Sequence, residues 1–365
     1  MKVIVAMSGG VDSSVAAYLL KKQGYEVTGL SFELWDKRDL KSSSVCCSIE
    51  TIELAKSVAH NLGIEHYTVD VRDAFYRHVI ENFCTSYIKG ETPNPCILCN
   101  KYIKFDFLLK KAKELGAELV ATGHYARIER QDKNVGAGFK PAPTNSYRYL
   151  LKKGVDLKKD QSYVLYVMKQ EELAKTLFPL GGLTKETTRA IAKDIGLATA
   201  LRPESQEICF VGDEKYVDFI KEFSPESLQP GPILDMEGRV TGEHKGIAFY
   251  TIGQRKRLGI PSLKPHYVTH IDRKKNAIVA GSKEDAVRKS FNVRELNWIA
   301  IDSLTNPIRA HVKIRSTMKE MPATICTADD DKVLVEFDEP QWAPAPGQSA
   351  VFYDNDVVIG GGVIE

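Results

Sequence analysis

Over the first 125 residues, short β-rich runs alternate with text of helical period. "KVIVAM" (2–7), "YEVTGLSF" (25–32) and "IEHYTVDV" (64–71) are read as strands. Between and after them, "DSSVAAYLLKKQG" (12–24), "IETIELAKSVAHNLG" (49–63) and "NKYIKFDFLLKKAKELG" (100–116) carry helical period and each stops at a glycine. "AELVATGH" (117–124) supplies a further strand. Apolar strands joined by helices predict an α/β fold, a parallel sheet covered on both faces. In such sheets a ligand sits beyond the carboxyl ends of the strands.

The pattern then changes twice. "QDKNVGAGFKPAPTNS" (131–146) has no period and is read as a surface loop insertion. Helical text returns at 162–178 and 184–197, the second opened by a Thr/Glu capping pattern. A Pro/Gly-rich stretch breaks it near 224–246, and from about Asn292 short alternating strands and tight turns predict a small all-β barrel or sandwich. The expected organisation is an α/β domain over 1–205, a small central domain over 206–285 and a C-terminal β-barrel over 286–365.

Composition adds limits. The chain has 365 residues, 43% of them hydrophobic and 27% charged, enough for two or three packed domains. Its formal net charge of +2 means that any nucleic acid would be held by local basic patches rather than a global field. Seven cysteines, an odd number, do not read as a disulfide framework. With no signal peptide, transit peptide or long apolar span in the text, the expectation is a cytoplasmic protein with no membrane partner.

"AMSGGVDSS" (6–14) lies between the first strand and the first helix. Gly9 and Gly10 let the backbone turn sharply, so that loop amides and the first helical N–H groups converge on one spot, which suits phosphate. Neither a Walker A loop nor a dinucleotide G-x-G-x-x-G is present. Ser-Gly-Gly-x-Asp-Ser after an N-terminal strand resembles the PP-loop of the ATP pyrophosphatases, which split ATP between its α and β phosphates. The plainer alternative is a glycine turn capped by Asp12 or Ser13.

"TPNPCILCNKYIKF", "ATGHYARI", "KDQSYVLY", "LFPLGGLTKETTRAIA", "SQEICFVG", "YTIGQRKRLGI" and "FDEPQWAPAPGQSAVFY" follow in order. Together they resemble the tRNA-specific 2-thiouridylase family over nearly the whole chain. The resemblance implies ATP-dependent thiolation of the wobble uridine of tRNA, giving 2-thiouridine, AMP and pyrophosphate. It implies ATP contacts at Ala6, Met7, Ser8, Gly9, Gly10, Val11, Asp12 and Ser13, with Phe32 on the nucleobase, Gly123 approaching the nucleotide, and Mg2+ accompanying ATP. Asn94, Pro95 and Cys96 match positions that meet the target base. His124, Lys159, Asp160, Gln161, Arg315, Ser316 and Gln348 match tRNA-contacting positions. Some of Lys101, Lys104, Lys110, Lys111, Lys113, Arg255, Lys256 and Arg257 are expected on phosphates.

The same resemblance makes Cys99 the nucleophile and Cys209 the persulfide carrier. Many family members have aspartate where this chain has Cys96. A thiol does not inherit that role, because its ordinary pKa is about 8.5 against about 3.9 for aspartate. The preferred reading is that Cys96, Cys99 and Cys209 bind a [4Fe–4S] cluster with one iron open. Persulfide chemistry by Cys99 and Cys209, a structural zinc, or an ordinary buried Cys96 remain the alternatives. A sulfur donor is implied, such as a cysteine desulfurase or sulfur-relay protein. Cys46 and Cys47 are read as small residues near the adenosine pocket, and Cys84 and Cys326 as small buried hydrophobes. Competing classes are a PP-loop ligase that adenylylates a small metabolite and a non-catalytic RNA-binding module.

Overall fold

The computed structural model describes residues 1–34, 49–132, 147–200, 208–211, 216–225, 228–262, 264–329 and 331–365. Cys46 and Cys47 lie outside them. Up to residue 200 the strands are Lys2–Ala6 (β1), Glu26–Glu33 (β2), Glu65–Asp70 (β3), Leu119–Ala121 (β4), Ala126–Asp132 (β5), Tyr147–Lys153 (β6) and Thr176–Leu177 (β7). Five form an all-parallel sheet in the order β3-β2-β1-β4-β7. Val3, Ile4 and Val5 of β1 are completely buried, as a central strand covered on both faces must be. Strand order reverses beside β1, where β2 and β4 flank it, so the crevice beyond β1 and β4 is where topology favours a ligand.

Helix Val11–Lys22 (α1) follows β1, and Ile49–Asn61 (α2) precedes β3. The expected helix at 100–116 is the later part of a longer helical run, 95–114, in which Pro95–Cys99 and Phe105–Glu114 are α-helical and Asn100–Lys104 is a π-turn. A second π-turn, Tyr76–Ile80, interrupts the helical run 72–88. Cys84 is buried there, as expected, and burial pushes its thiol up to about 12.

Two expectations need correction. Gln131 and Asp132 belong to β5, which pairs antiparallel with β6 from Ala126↔Lys153 to Asp132↔Tyr147, so the expected loop 131–146 begins as a hairpin arm. The signal was hidden because most positions of this arm are only half-buried or exposed and carry charges at nearly every second residue. The helix expected over 162–178 is instead two short helices, Ser162–Leu165 and Gln170–Ala174, followed by β7. Tyr163 and Tyr166 are drawn into a core shared with Val351, Tyr353 and Val358, which ends the helical path.

The central unit contributes Gly231–Leu234 (β8), Val240–His244 (β9), Tyr267–Asp272 (β10) and Ala277–Gly281 (β11), in the order β10-β11-β8-β9. The last strands are Val287–Trp298 (β12), Ile308–Lys313 (β13), Met321–Asp329 (β14), Lys332–Trp342 (β15), Ser349–Asp354 (β16) and Val357–Ile364 (β17). They close into an antiparallel barrel because β12 pairs with both β15 and β17. The β5–β6 hairpin attaches to this barrel through β17. Cys326 sits half-buried in β14. The Tyr163 hydroxyl donates to the Ser349 carbonyl at 2.8 Å, and Asn297 Nδ2 donates to the Tyr166 carbonyl at 2.6 Å, so barrel and parallel-sheet unit share polar as well as apolar contacts. No helix among the described residues is long and apolar enough to cross a membrane.

Candidate active site

β1 delivers the chain to Met7 and α1 begins at Val11, so the turn must be made within a few residues. Gly9 makes it at φ +71°, and a Cβ there would stand 2.3 Å from the Thr51 carbonyl oxygen. Ser13 braces the turn: its hydroxyl accepts the Ser8 N–H at 3.2 Å and donates to the Gly10 carbonyl at 3.1 Å. Gly123, just past β4, lies flat against the start of α1, where a Cβ would meet Asp12 C and Ser13 N at 2.8 Å.

Around this turn lies a cavity of about 210 Å³ walled by Ala6, Met7, Ser8, Asp12, Ser13, Phe32 and Gly123. Gly9, Gly10 and Val11 form the turn itself. Leu30, Leu34, Lys104, Thr122, His124 and Gln161 complete the wall. Every residue expected at the nucleotide thus belongs to the cavity or to the turn beside it.

Asp12 is held from two sides in the wall. Lys185 Nζ, nearly buried, donates to both carboxylate oxygens at 2.7 and 2.8 Å, and the Tyr125 hydroxyl donates to Oδ1 at 2.8 Å. Lys185 begins helix Lys185–Asp194, whose N-cap Thr184 accepts the Thr187 N–H at 3.2 Å. Thr184 thus caps the helix as the sequence suggests, but Thr187 rather than a glutamate stands at the third helical position, so the threonine half of the expected Thr/Glu pattern is present; the lysine beside the cap was missed. Nothing local distinguishes Lys185 from a solvated helical lysine.

His124 is buried, with Nδ1 2.7 Å from Thr122 Oγ1 and its ring between Phe105 and Phe178. Burial first, and the Lys104 ammonium second, hold its pKa well below the ordinary 6.5, so the ring is neutral at pH 7. The unfolded chain takes up this proton near pH 6.5 and the folded one only at lower pH. Its contribution to stability is thus full above about pH 6.5 and is lost as pH falls, by at most about 1.4 kcal/mol per pH unit. Urea denaturation at pH 7.5, 6.5 and 5.5 should show a smaller decline for His124→Gln than for the wild type; equal declines would contradict this.

The thiols sit on the neighbouring helical run. Pro95 occupies its first turn, where a missing N–H costs nothing. Cys96 is exposed and Cys99 buried. Cys99 belongs to an apolar cluster with Phe83, Ile103 and Phe210, against which Cys209 also packs. Ile97 and Phe105 face the other way, into the core shared with the barrel. The π-turn brings Lys104 round one turn above Cys99, so a side chain from the thiol-bearing run reaches the cavity wall. Asn100 is buried beside Cys99, with Nδ2 donating to the Val164 carbonyl at 2.8 Å and Oδ1 meeting no partner among the described residues.

Among the described residues, no three His, Cys, Asp or Glu side chains gather as a group able to hold a metal. Cys96, Cys99 and Cys209 therefore do not form a ready-made cluster cage in this arrangement.

The positions expected to contact tRNA are scattered. His124 and Gln161 line the cavity, and Asn94, Pro95 and Cys96 open the thiol helix. Asp160 accepts the Gly154 and Ser162 N–H groups, both at 3.1 Å, so its carboxylate braces its own loop. Lys159 is half-buried on that loop, and Ser316 is exposed. Arg315 donates to the carbonyls of Ile252 and Ala343 at 3.1 and 2.9 Å, which ties the central unit to the barrel. Gln348 reaches the loop ahead of Cys96. Arg255, Lys256 and Arg257 are exposed together on the central unit.

Three family models match in succession: "tRNA methyl transferase HUP domain" over residues 1–213, "tRNA methyl transferase PRC-barrel domain" over 217–282 and "Aminomethyltransferase beta-barrel domain" over 288–364. They define the class, a HUP-domain protein with a phosphate loop, a PRC-barrel and a terminal β-barrel. Within it, the chain belongs to the tRNA-specific 2-thiouridylase family. It is 47% identical to the tRNA-specific 2-thiouridylase MnmA of Clostridioides difficile, covering 100% of this chain and 98% of that protein. It is 50% identical to MnmA 1 of Caldanaerobacter subterraneus, with the same coverage, and 48% identical to MnmA of Symbiobacterium thermophilum, covering 92% of that protein. Among solved structures, a 4-thiouridine synthetase–RNA complex with bound ATP aligns over 62% of this chain and 51% of its own, at 16% identity and a TM-score of 0.37.

Proposed function

We propose that this protein is an ATP-dependent tRNA-uridine 2-sulfurtransferase acting on the wobble uridine. The observation that carries this reading is that Lys104, on the helical run bearing Cys96 and Cys99, lines the same cavity as Ser8, Asp12 and Ser13. A phosphate site and a pair of thiols are joined by one helical run. That supports activation and sulfur delivery at one place.

The uridine C2 oxygen is a poor leaving group, so it first attacks the α-phosphorus of Mg2+-ATP, releasing pyrophosphate and leaving an O2-adenylate. Loop amides of Ser8–Gly10 and the N-terminus of α1 stabilise the phosphates, while Phe32 and Leu34 supply the apolar wall for adenine. A persulfide on Cys209, loaded by an external desulfurase or relay protein, attacks C2 through its terminal sulfur and expels AMP. The product is a mixed disulfide between Cys209 and the base. The Cys99 thiolate attacks the Cys209 sulfur, forming a Cys99–Cys209 disulfide and freeing 2-thiouridine. An external thiol reductant resets the pair. To reach the cavity, the target base must leave the anticodon stack.

The [4Fe–4S] alternative keeps its chemical ground in Cys96, which adds a third thiol to the set, but no step here depends on it. The test is incubation of the full chain with unmodified tRNA, ATP, Mg2+ and a persulfide donor, followed by nucleoside mass spectrometry. Expected are 2-thiouridine and tRNA-dependent AMP. AMP without tRNA would instead indicate a small-metabolite ligase, and no turnover would leave a binding module. Iron and acid-labile sulfide, measured on protein purified without oxygen, decide between two thiols and a cluster.

A further inference from the structure

The loop that joins β6 to helix Ser162–Leu165 touches both groups that hold Asp12. At its far end Gln161 clasps Tyr125: its Oε1 accepts the Tyr125 N–H and its own N–H donates to the Tyr125 carbonyl, both at 2.9 Å. Gly154, at the near end, lies so close that a Cβ would stand 2.8 Å from that carbonyl oxygen. Between them, Asp156 Oδ2 accepts the Lys185 N–H at 3.0 Å, while Oδ1 accepts the Lys158 N–H at 3.1 Å. The Val155 N–H donates to the Gly181 carbonyl at 3.0 Å, which ties the loop to the segment ahead of Thr184.

The first N–H groups of a helix have no partner within it. In helix Lys185–Asp194 the Thr184 hydroxyl takes the Thr187 N–H, and Asp156 takes the N–H of Lys185 at the first position. A carboxylate also suits the positive end of the helix. Lys185 is thus fixed at both ends, its backbone by Asp156 and its ammonium by Asp12. That ammonium lies 5.6 Å from the centre of the buried Tyr125 ring. The same loop carries Lys159, Asp160 and Gln161, which the family resemblance assigns to tRNA.

We propose that Asp156 is a positioning residue for the phosphate turn: through the Lys185 N–H it sets the first turn of helix Lys185–Asp194, and with it the ammonium on Asp12. Loss of its carboxylate lets that turn fray and lets Lys185 leave the pair. This deepens the sulfurtransferase reading and rests on it for its kinetic consequence. The turn that meets the phosphates then loses a brace, and small displacements of reacting groups are costly. Asp156→Ala should therefore lower kcat for tRNA-dependent AMP release roughly tenfold.

The reactivity of the Lys185 amine reads its placement directly. Acetylation by sulfosuccinimidyl acetate is measured in the full chain without tRNA or ATP, resolved by peptide mass spectrometry and referred to the exposed Lys110. At Lys185 it should rise at least about threefold in Asp156→Ala, following local opening. Asp156→Asn keeps one acceptor oxygen for the Lys185 N–H and should stay within about twofold of the wild type. In the Lys185→Met background, Asp156→Ala should lower AMP release no more than about twofold further, because the ammonium it places is already gone. Unchanged Lys185 labelling, equal labelling in the Asn and Ala variants, or the full kinetic loss in the Lys185→Met background overturns the proposal. So does a raised KM for tRNA with unchanged kcat, which would put the effect of Asp156 on RNA binding. If Asp156→Ala fails to fold, Asp156→Leu keeps the branched outline without an acceptor and is held to the same outcomes. A wild type that releases no AMP with tRNA sinks the functional reading alone, because the labelling comparison needs neither substrate.

Discussion

Cys99→Ser is expected to stop 2-thiouridine formation by a factor on the order of 10³ or more, while adenylylation continues. The serine keeps the shape of a buried side chain but cannot attack a sulfur–sulfur bond at neutral pH. Mixed disulfide between Cys209 and the base should accumulate, visible as tRNA crosslinked to protein and released by dithiothreitol. Pyrophosphate release should persist for one turnover per active site. A variant that thiolates at the wild-type rate would remove Cys99 from the reaction. Because Cys99 packs with Phe83, Ile103 and Phe210, a small loss of stability is expected as well, and thermal melting separates it from the loss of activity.

The second large effect belongs to Lys185. Lys185→Met leaves the Asp12 carboxylate with the Tyr125 hydroxyl but without the ammonium that spans both its oxygens. Breaking a buried pair from one side costs about 3 kcal/mol or more, and with a third of the Asp12 side chain exposed about 2 kcal/mol is expected here. An uncompensated carboxylate at the phosphate turn would also repel ATP, so tRNA-dependent AMP release should fall on the order of a hundredfold. Adding Asp12→Asn removes the stranded charge. The double variant should regain much of the stability, read by urea denaturation, without regaining turnover. A double variant no more stable than Lys185→Met would mean that the pair is not what holds the turn.

The phosphate turn was legible because its constraints are local. Two glycines, a braced serine and flanking strand and helix lie within ten residues, and each has a steric or hydrogen-bonding reason independent of the rest of the chain. The capped helix at Thr184 was legible for the same reason. The β5–β6 hairpin was not, since its charged faces carry little burial signal and its pairing partner β17 lies two hundred residues downstream. Nor was the breakup of 162–178, whose aromatic residues read as a helical face until the barrel core claims them. Resemblance places Arg315, Asp160 and Gln348 near tRNA. In the fold Arg315 Nη2, the Asp160 carboxylate and Gln348 Nε2 also meet protein partners, which no spacing rule reveals.

The sequence by itself determined the order of units, the strand–turn–helix that suits a phosphate, and which thiols were available to carry sulfur. Periodicity and glycine placement report which face of a segment is buried and where the backbone must turn, and both are written within a dozen residues. Only the tertiary structure decided that Lys185 meets Asp12 across 173 residues, that a π-turn swings Lys104 into the cavity, and that the barrel grips the loop ahead of Cys96. Those pairings depend on how sheet and barrel pack, and a charge or amide in the chain carries no local mark of the partner that packing will bring to it.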